Sequence, residues 1–179
     1  TTGPTTGPTT GPTTGPTTVP TATGPTTTVP TTTTTPIKDC ANIVSIANVL
    51  YDQTRNSEYG SADVCDSSTS SHTSPDWKGS GWYKISEDLG FQLPEQAIMP
   101  YHCGTYQTGW LNGNHPTNDN EIVQRTVCFN FVASTCSKQV PIQIIKCPLG
   151  PYGFFYIYYL EDTPACNLRY CTVPDPATN

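Results

Sequence analysis

Eight cysteines carry most of the covalent chemistry available to this sequence, and all of them lie between residues 40 and 171. A zinc site ordinarily needs close pairs such as Cys-x-x-Cys, whereas the closest pair here is Cys166 and Cys171. An even number of cysteines favours disulfide bonds in an oxidising, extracellular setting, so we predict no metal site. Eight cysteines allow on the order of 100 pairings, and spacing alone does not select one.

Three histidines are the remaining candidates for acid–base chemistry. His72 lies in a polar run, His102 lies beside Cys103, and His115 lies in the turn predicted over residues 112–116. No nucleophile or metalloprotease motif, such as Gly-x-Ser-x-Gly or His-Glu-x-x-His, accompanies them. We interpret them as structural or surface residues, and we predict no catalytic residue and no enzyme activity.

The oxygen-rich run over residues 118–121 could hold a calcium ion, but it lacks the twelve-residue ligand spacing of a dedicated loop. A solvated turn is the better interpretation. We therefore expect no cofactor other than covalent O-glycans.

Charge and hydropathy exclude two classes of partner. The chain has 14 acidic and eight basic residues, a net charge of −6 and no basic cluster, which argues against nucleic acid. No apolar run approaches the length of about 18 residues needed to span a membrane, so we predict no membrane span.

The first 36 residues are uncharged, and 20 of them are threonine and eight are proline. Such a segment has almost nothing apolar to bury, so it cannot fold as a globular domain. Its regularly spaced prolines predict an extended, polyproline II-like rod that, at roughly 3.1 Å per residue, reaches on the order of 110 Å. We predict three parts: a stalk over residues 1–36, a head over residues 37–172 and a C-terminal linker over residues 173–179.

Threonine interleaved with proline is typical of O-glycosylated stalks, because hydroxyls on an extended backbone are accessible to glycosyltransferases. A bare flexible linker is the alternative interpretation. The candidate glycosylation sites are Thr1, Thr2, Thr5, Thr6, Thr9, Thr10, Thr13, Thr14, Thr17, Thr18, Thr21, Thr23, Thr26, Thr27, Thr28, Thr31, Thr32, Thr33, Thr34 and Thr35. The candidates for proline hydroxylation are Pro4, Pro8, Pro12, Pro16, Pro20, Pro25 and Pro30.

The head is predicted to be all-β, as a small, disulfide-stapled, β-sandwich-like domain with irregular loops. Strands are expected over residues 81–86, 121–131, 140–147 and 152–160, which are rich in β-branched and aromatic residues. Only residues 43–51 have apolar side chains at helix-like spacing, and that segment could equally be held extended.

The aromatic run over residues 152–160 has apolar side chains on both faces of its predicted strand, which is typical of a central strand buried on both sides. The alternative is a groove for polyproline II backbone or for sugar, lined by one row of tyrosines and a tryptophan. The candidate contact residues for that groove are Trp77, Trp110, Tyr152, Tyr156 and Tyr158.

A succession of short motifs gives the head a family resemblance. These are Trp82-Tyr83-Lys84, Met99-Pro100, Cys103, Gly109-Trp110-Leu111-Asn112-Gly113-Asn114-His115-Pro116, Val127-Cys128 with Cys136, Ile144-Ile145-Lys146-Cys147, Phe155-Tyr156-Ile157-Tyr158-Tyr159-Leu160 and Cys166-Asn167-Leu168-Arg169-Tyr170-Cys171-Thr172. In this order they resemble the eight-cysteine extracellular domain of the uromodulin and pancreatic secretory granule glycoprotein type. The resemblance covers the head and leaves the stalk outside.

The resemblance implies a disulfide pairing, which is Cys40 to Cys147, Cys65 to Cys166, Cys103 to Cys171 and Cys128 to Cys136. The additional cysteine pair of the uromodulin branch is missing here. Relatives also carry an Asn-x-Thr glycosylation acceptor after the aromatic strand, whereas this chain has no Asn-x-Ser/Thr acceptor at all. A role as an N-glycosylated decoy for bacterial adhesins is therefore not supported by these residues.

Two functions remain open on the sequence. The first is a non-enzymatic structural glycoprotein, the repeating subunit of an extracellular fibril or surface coat in which stalks pack between heads, with copies of itself as partners. The second is a carbohydrate- or protein-binding module displayed on a mucin-like stalk, with glycans among its ligands. Both place the protein outside the cell, as a secreted or cell-surface molecule.

Overall fold

The computed structural model describes residues 39–173. The predicted stalk, with every threonine and proline candidate, and all but the first residue of the predicted linker lie outside this range. Within the described range no helix is long and apolar enough to cross a membrane.

The described chain is built mainly from strands. In chain order its elements are α1 (Cys40–Ile46), β1 (Asn48–Leu50), a 3₁₀ turn (Gln53–Arg55), β2 (Gly81–Ile85), a 3₁₀ turn (Glu87–Leu89), β3 (Gln107–Asn112), β4 (Ile122–Phe131), β5 (Ser134–Pro148), a 3₁₀ turn (Gly150–Tyr152), β6 (Phe154–Leu160) and β7 (Leu168–Tyr170). The prediction of a mostly β, disulfide-bonded domain with a minor helix is confirmed.

All seven strands belong to one sheet, in the order β1-β2-β6-β5-β4-β3-β7. The outermost pairs, β1 with β2 and β3 with β7, are parallel, and the inner pairs are antiparallel. The sheet is curled, so the layered packing expected of a sandwich comes from one sheet rather than from two separate ones.

The four predicted strands correspond to β2, β4, β5 and β6. The segment 43–51 was open to a helix or to extended chain, and it contains both. Its first residues are the last turn of α1, and its later residues form β1. Three strands were not predicted. They are β1 and β7, which are only three residues long, and β3, in which Gly109 interrupts the apolar pattern.

Side chains alternate between two apolar clusters on opposite faces of the sheet. On β6, Tyr156, Tyr158 and Leu160 lie in the larger cluster, whereas Ile157 lies in the smaller one. The larger cluster collects residues from every strand and from the loops, and α1 covers the smaller cluster through Ile43. Strand β6 is therefore a central strand buried on both faces.

Four disulfide bonds fix the loops and the helix to this sheet. They join Cys40 to Cys147, Cys65 to Cys166, Cys103 to Cys171 and Cys128 to Cys136. These are the pairs that the family resemblance implies. The first bond holds the start of α1 on β5, and the last closes the β4–β5 hairpin.

Candidate functional site

Three of the five predicted groove residues lie in the core, so the predicted groove does not form. Trp77 is 3% exposed, Tyr156 8% and Tyr158 0%. The Trp77 ring stacks on Tyr83 at 4.7 Å and lies 5.6 Å from Tyr170, and its Nε1 donates to Asp162 at 2.6 Å. The physical reason is that β6 is covered on both faces, which leaves its tyrosine row no open surface.

The other two candidates are separate from each other. Trp110 is partly exposed on β3, and its Nε1 donates to the Thr135 carbonyl at 2.8 Å. Tyr152 is 86% exposed, in the 3₁₀ turn before β6. The structure therefore does not unite the predicted contact residues in one surface.

The three histidines lie in different parts of the head. The exposed His72 lies with its Nδ1 3.4 Å from the Asp63 carboxylate, and the His102 Nδ1 lies 3.2 Å from the Pro100 carbonyl. Only His115 is buried among polar groups. Within residues 39–173, no three His, Cys, Asp or Glu side chains converge as a metal site would require.

A buried charge cluster is centred on Arg55, which the sequence analysis did not single out. The Arg55 guanidinium donates to Asp66 from both terminal nitrogens, at 2.7 and 2.8 Å, and to Asp76 through Nε at 2.9 Å. All three side chains are at most 1% exposed. This bidentate geometry satisfies the hydrogen-bond donors of the planar guanidinium, and the paired charges offset much of the free-energy cost of burying them.

The two carboxylates of this cluster also bind backbone from opposite edges of the sheet. The Asp76 Oδ2 accepts from the amides of Tyr51 and Asp52, which directly follow the edge strand β1. The Asp66 Oδ2 accepts from the amide of Tyr170, in the other edge strand β7. The cluster therefore links the first and last strands of the sheet order.

A second arginine extends the cluster. The Arg169 side chain donates to Asp52 at 2.7 Å, to the Thr54 hydroxyl at 2.6 Å and to the Cys103 carbonyl at 3.1 Å. Gly104 is required beside it, because a Cβ at that position would lie 2.6 Å from an Arg169 nitrogen. Arg169, which belongs to β7, thus holds the Cys103 loop against this strand.

The pKa values of the cluster reflect this pairing. Burial raises the pKa of Asp76, but the hydrogen bonds and charge of Arg55 outweigh it and lower the pKa to about 2. Burial lowers the pKa of Arg55, but Asp66 and Asp76 outweigh that effect and raise it. Asp76 and Arg55 therefore stabilise each other's charged forms.

A polar chain also runs through His115. Its Nδ1 lies 2.6 Å from the Glu95 carboxylate, and its Nε2 lies 2.9 Å from the Tyr158 hydroxyl. Burial lowers the pKa of His115, and the hydrogen bond and charge of Glu95 only partly offset it. The imidazole is therefore neutral at pH 7, with a proton on Nδ1 facing the carboxylate.

Two apolar depressions are prominent on the described surface of the head. The larger, of about 510 Å³, lies between α1, β2 and the start of β6, and charged Lys84, Glu87 and Asp88 contribute to its lining. The smaller, of about 260 Å³, is lined by Tyr101, Tyr106, Gln107, Phe131 and Asn167. We call these five residues the aromatic patch. No local sequence pattern predicts the patch, because its members lie up to 66 positions apart in the chain.

We predict that Arg55→Met lowers the free energy of unfolding by about 3–5 kcal/mol, because it leaves two buried carboxylates without their cation. Denaturant unfolding at neutral pH measures this. Lys138→Met removes an exposed cation from β5 and serves as the control, with an expected change within about 0.5 kcal/mol. Equal effects of the two substitutions would contradict the assignment of Arg55 as the centre of the cluster.

We predict that the stability of the head falls as the pH drops below neutrality, and that His115→Gln reduces this slope. The pKa of His115 is lower in the folded chain than the unfolded value of about 6.5. The unfolded chain therefore binds a proton at His115 more readily than the folded chain does. The contribution of neutral His115 to stability is complete above the unfolded pKa, and it is lost as the pH falls through the folded pKa.

Denaturant unfolding across this pH range measures the slope. His72→Gln changes an exposed histidine and serves as the control for the loss of an imidazole. An unchanged slope in His115→Gln would contradict the prediction.

Comparison with known proteins places this head among characterised domains. The model of the uromodulin-like domain matches residues 83–172, half of the chain. The pancreatic secretory granule membrane major glycoprotein GP2 of Rattus norvegicus is 38% identical over 130 residues, which are 72% of this chain and 22% of the relative. Uromodulin of Rattus norvegicus is 33% identical over 135 residues, 75% of this chain and 19% of the relative.

The GP2 glycoprotein of Homo sapiens is 38% identical over 100 residues, 55% of this chain and 18% of the relative. The chain thus spans about a fifth of the length of these curated relatives. The matched residues 83–172 include the last three residues of β2, all of β3 to β7 and six of the eight cysteines. On this evidence the chain belongs to the uromodulin-like domain family.

Proposed function

We propose that this protein is a non-enzymatic structural glycoprotein of the extracellular space, in which disulfide-bonded heads repeat along a fibril or surface coat and O-glycosylated stalks pack between them. The observation that carries the proposal is the junction of an uncharged segment of 36 residues, 20 of them threonine, with a head held by four disulfide bonds. The composition of the first part suits a spacer, and the four disulfide bonds of the second part suit a stable unit that repeats along a fibril.

The polar groups of the head support a structural role. The Glu95–His115–Tyr158 chain has the residue types of a catalytic relay, but His115 is 6% exposed and Tyr158 0%. A substrate cannot reach the tyrosine oxygen without opening the core. The Arg55 cluster is equally closed, and its charges already bind one another and the backbone.

The stalk sequence supports the role of spacer. A polyproline II backbone has about three residues per turn, so in the proposed rod threonine pairs that repeat every four residues would face successive sides. Glycans on residues 1–35 would then surround the stalk, stiffen it and hydrate it. Hydroxylation of the prolines would add further polar groups to the same surface.

The relatives support an extracellular setting. Two of them share a name that includes both a glycoprotein and a secretory granule membrane. Disulfide bonds persist in such oxidising compartments.

The assembly that we propose for the stalk and head is a filament. Head-to-tail contacts that repeat without closing give a filament, whereas contacts that close give a ring.

We predict that the native protein has an intact mass far above the 19.4 kDa of the unmodified chain and forms regular filaments in electron microscopy. Mass analysis after removal of O-glycans should return the mass toward that of the bare chain, with proline hydroxylation as a residual increment. Single particles at the bare mass, with no filaments and a monomer in light scattering, would contradict the proposal.

A further inference from the structure

The aromatic patch is an exposed cluster of rings that the core does not use. Tyr101 is 45% exposed and Phe131 is 37% exposed. The Tyr101 ring lies edge-on to Tyr106 at 5.8 Å and lies 6.3 Å from Phe131. The three rings surround a depression of about 260 Å³ that also borders Gln107 and Asn167.

The backbone holds this patch in a preformed shape. Tyr101 has φ 65° and Asn167 has φ 74°, a region that asparagine tolerates and that costs a tyrosine roughly 1–2 kcal/mol. The Tyr101 amide donates to the Tyr106 carbonyl, and the Gln107 amide donates to the Asn167 carbonyl. A bulky ring is thus maintained on the surface at a position where glycine would be less strained.

The patch is uncharged, although the chain carries a net charge of −6. Its polar groups are the side-chain amides of Gln107 and Asn167 and the hydroxyls of the two tyrosines. The Gln107 Oε1 already accepts from the Ser137 hydroxyl at 2.8 Å. The Gln107 NH₂ group is therefore the part of that side chain left to donate to a ligand. Aromatic faces beside an amide donor suit an uncharged ligand with apolar rings and free carbonyl groups.

Polyproline II chains have these properties, because their prolines present flat apolar rings and their carbonyls make no internal hydrogen bonds. This protein contains such a ligand class itself, since residues 1–36 are uncharged and carry a proline in every repeat. The larger depression suits it less well, because Lys84, Glu87 and Asp88 contribute charge to its lining.

We propose that the aromatic patch binds the Thr/Pro repeat of a second copy of this chain. The inference rests on the proposed function, since it assigns the surface through which stalks and heads assemble. The rings of Tyr101, Tyr106 and Phe131 contact prolines of the neighbouring stalk, and the Gln107 amide donates to its backbone. The ligand is the peptide backbone around the proline that faces the patch, and the threonine pairs on the other sides of the rod carry the glycans.

A biosensor carrying the unglycosylated peptide TTGPTTGPTTGPTTGP tests this with the full chain, at concentrations where light scattering detects only monomers. We expect Tyr101→Gly and Phe131→Ser each to weaken binding about tenfold. Tyr101→Gly retains the fold, because glycine adopts φ 65° without steric cost. Tyr152→Ser removes a more exposed ring outside the patch, and we expect binding within about twofold of wild type.

Thermal unfolding of each variant separates lost binding from lost folding. Equal binding by wild type and both patch variants, or binding of only a glycosylated form of the peptide, would overturn the inference. Because the peptide readout does not require filaments, the two proposals fail separately. Filaments without patch-dependent peptide binding overturn only the patch assignment, whereas patch-dependent binding by a native protein that stays monomeric overturns only the filament.

Discussion

The buried contact of Arg55 with Asp66 and Asp76 is the interaction on which the closure of this fold depends. Strands β1 and β7 form opposite edges of the seven-stranded sheet, and open edges invite pairing with other chains. The two carboxylates that Arg55 holds accept backbone amides from the ends of these strands. One cation therefore connects the two edges of the curled sheet, and Trp77 packs between β2 and β7 beside it.

The disulfide bonds reinforce this closure from outside the cluster. Cys65 precedes Asp66 and is bonded to Cys166, whereas Cys171 follows Tyr170 and is bonded to Cys103. Each bond closes a long loop, which in the chain-entropy view stabilises by about 4 kcal/mol through the unfolded state. The buried ion pairs fix the positions of the groups that they join more than they add net stability, because the cost of desolvating the charges offsets much of their attraction. A head built in this way can present loops such as the aromatic patch as rigid surfaces.

The local sequence pattern predicted the strands of the sheet better than it predicted the residues that form the surface. The aromatic run that became β6 has apolar side chains on both faces, and that pattern alone identified a central strand. The same pattern made the tyrosine groove plausible, and only the packing of both faces removed it. Arg55 and Asp76 could not be identified, because a charged residue in a loop is ordinarily solvated and its partners lie far along the chain. The aromatic patch is equally non-local, since a turn, a hairpin and a loop supply its residues.

Native-state hydrogen exchange at the amides of Tyr51 and Tyr170 tests most directly whether the Arg55 cluster closes the sheet. These amides donate to Asp76 and Asp66 respectively. The account predicts that both exchange only through global unfolding, with the same free energy of opening as the most protected amides of β4 and β5. Exchange at either amide through a local opening, while β4 and β5 stay protected, would show that the edges separate independently and would contradict it.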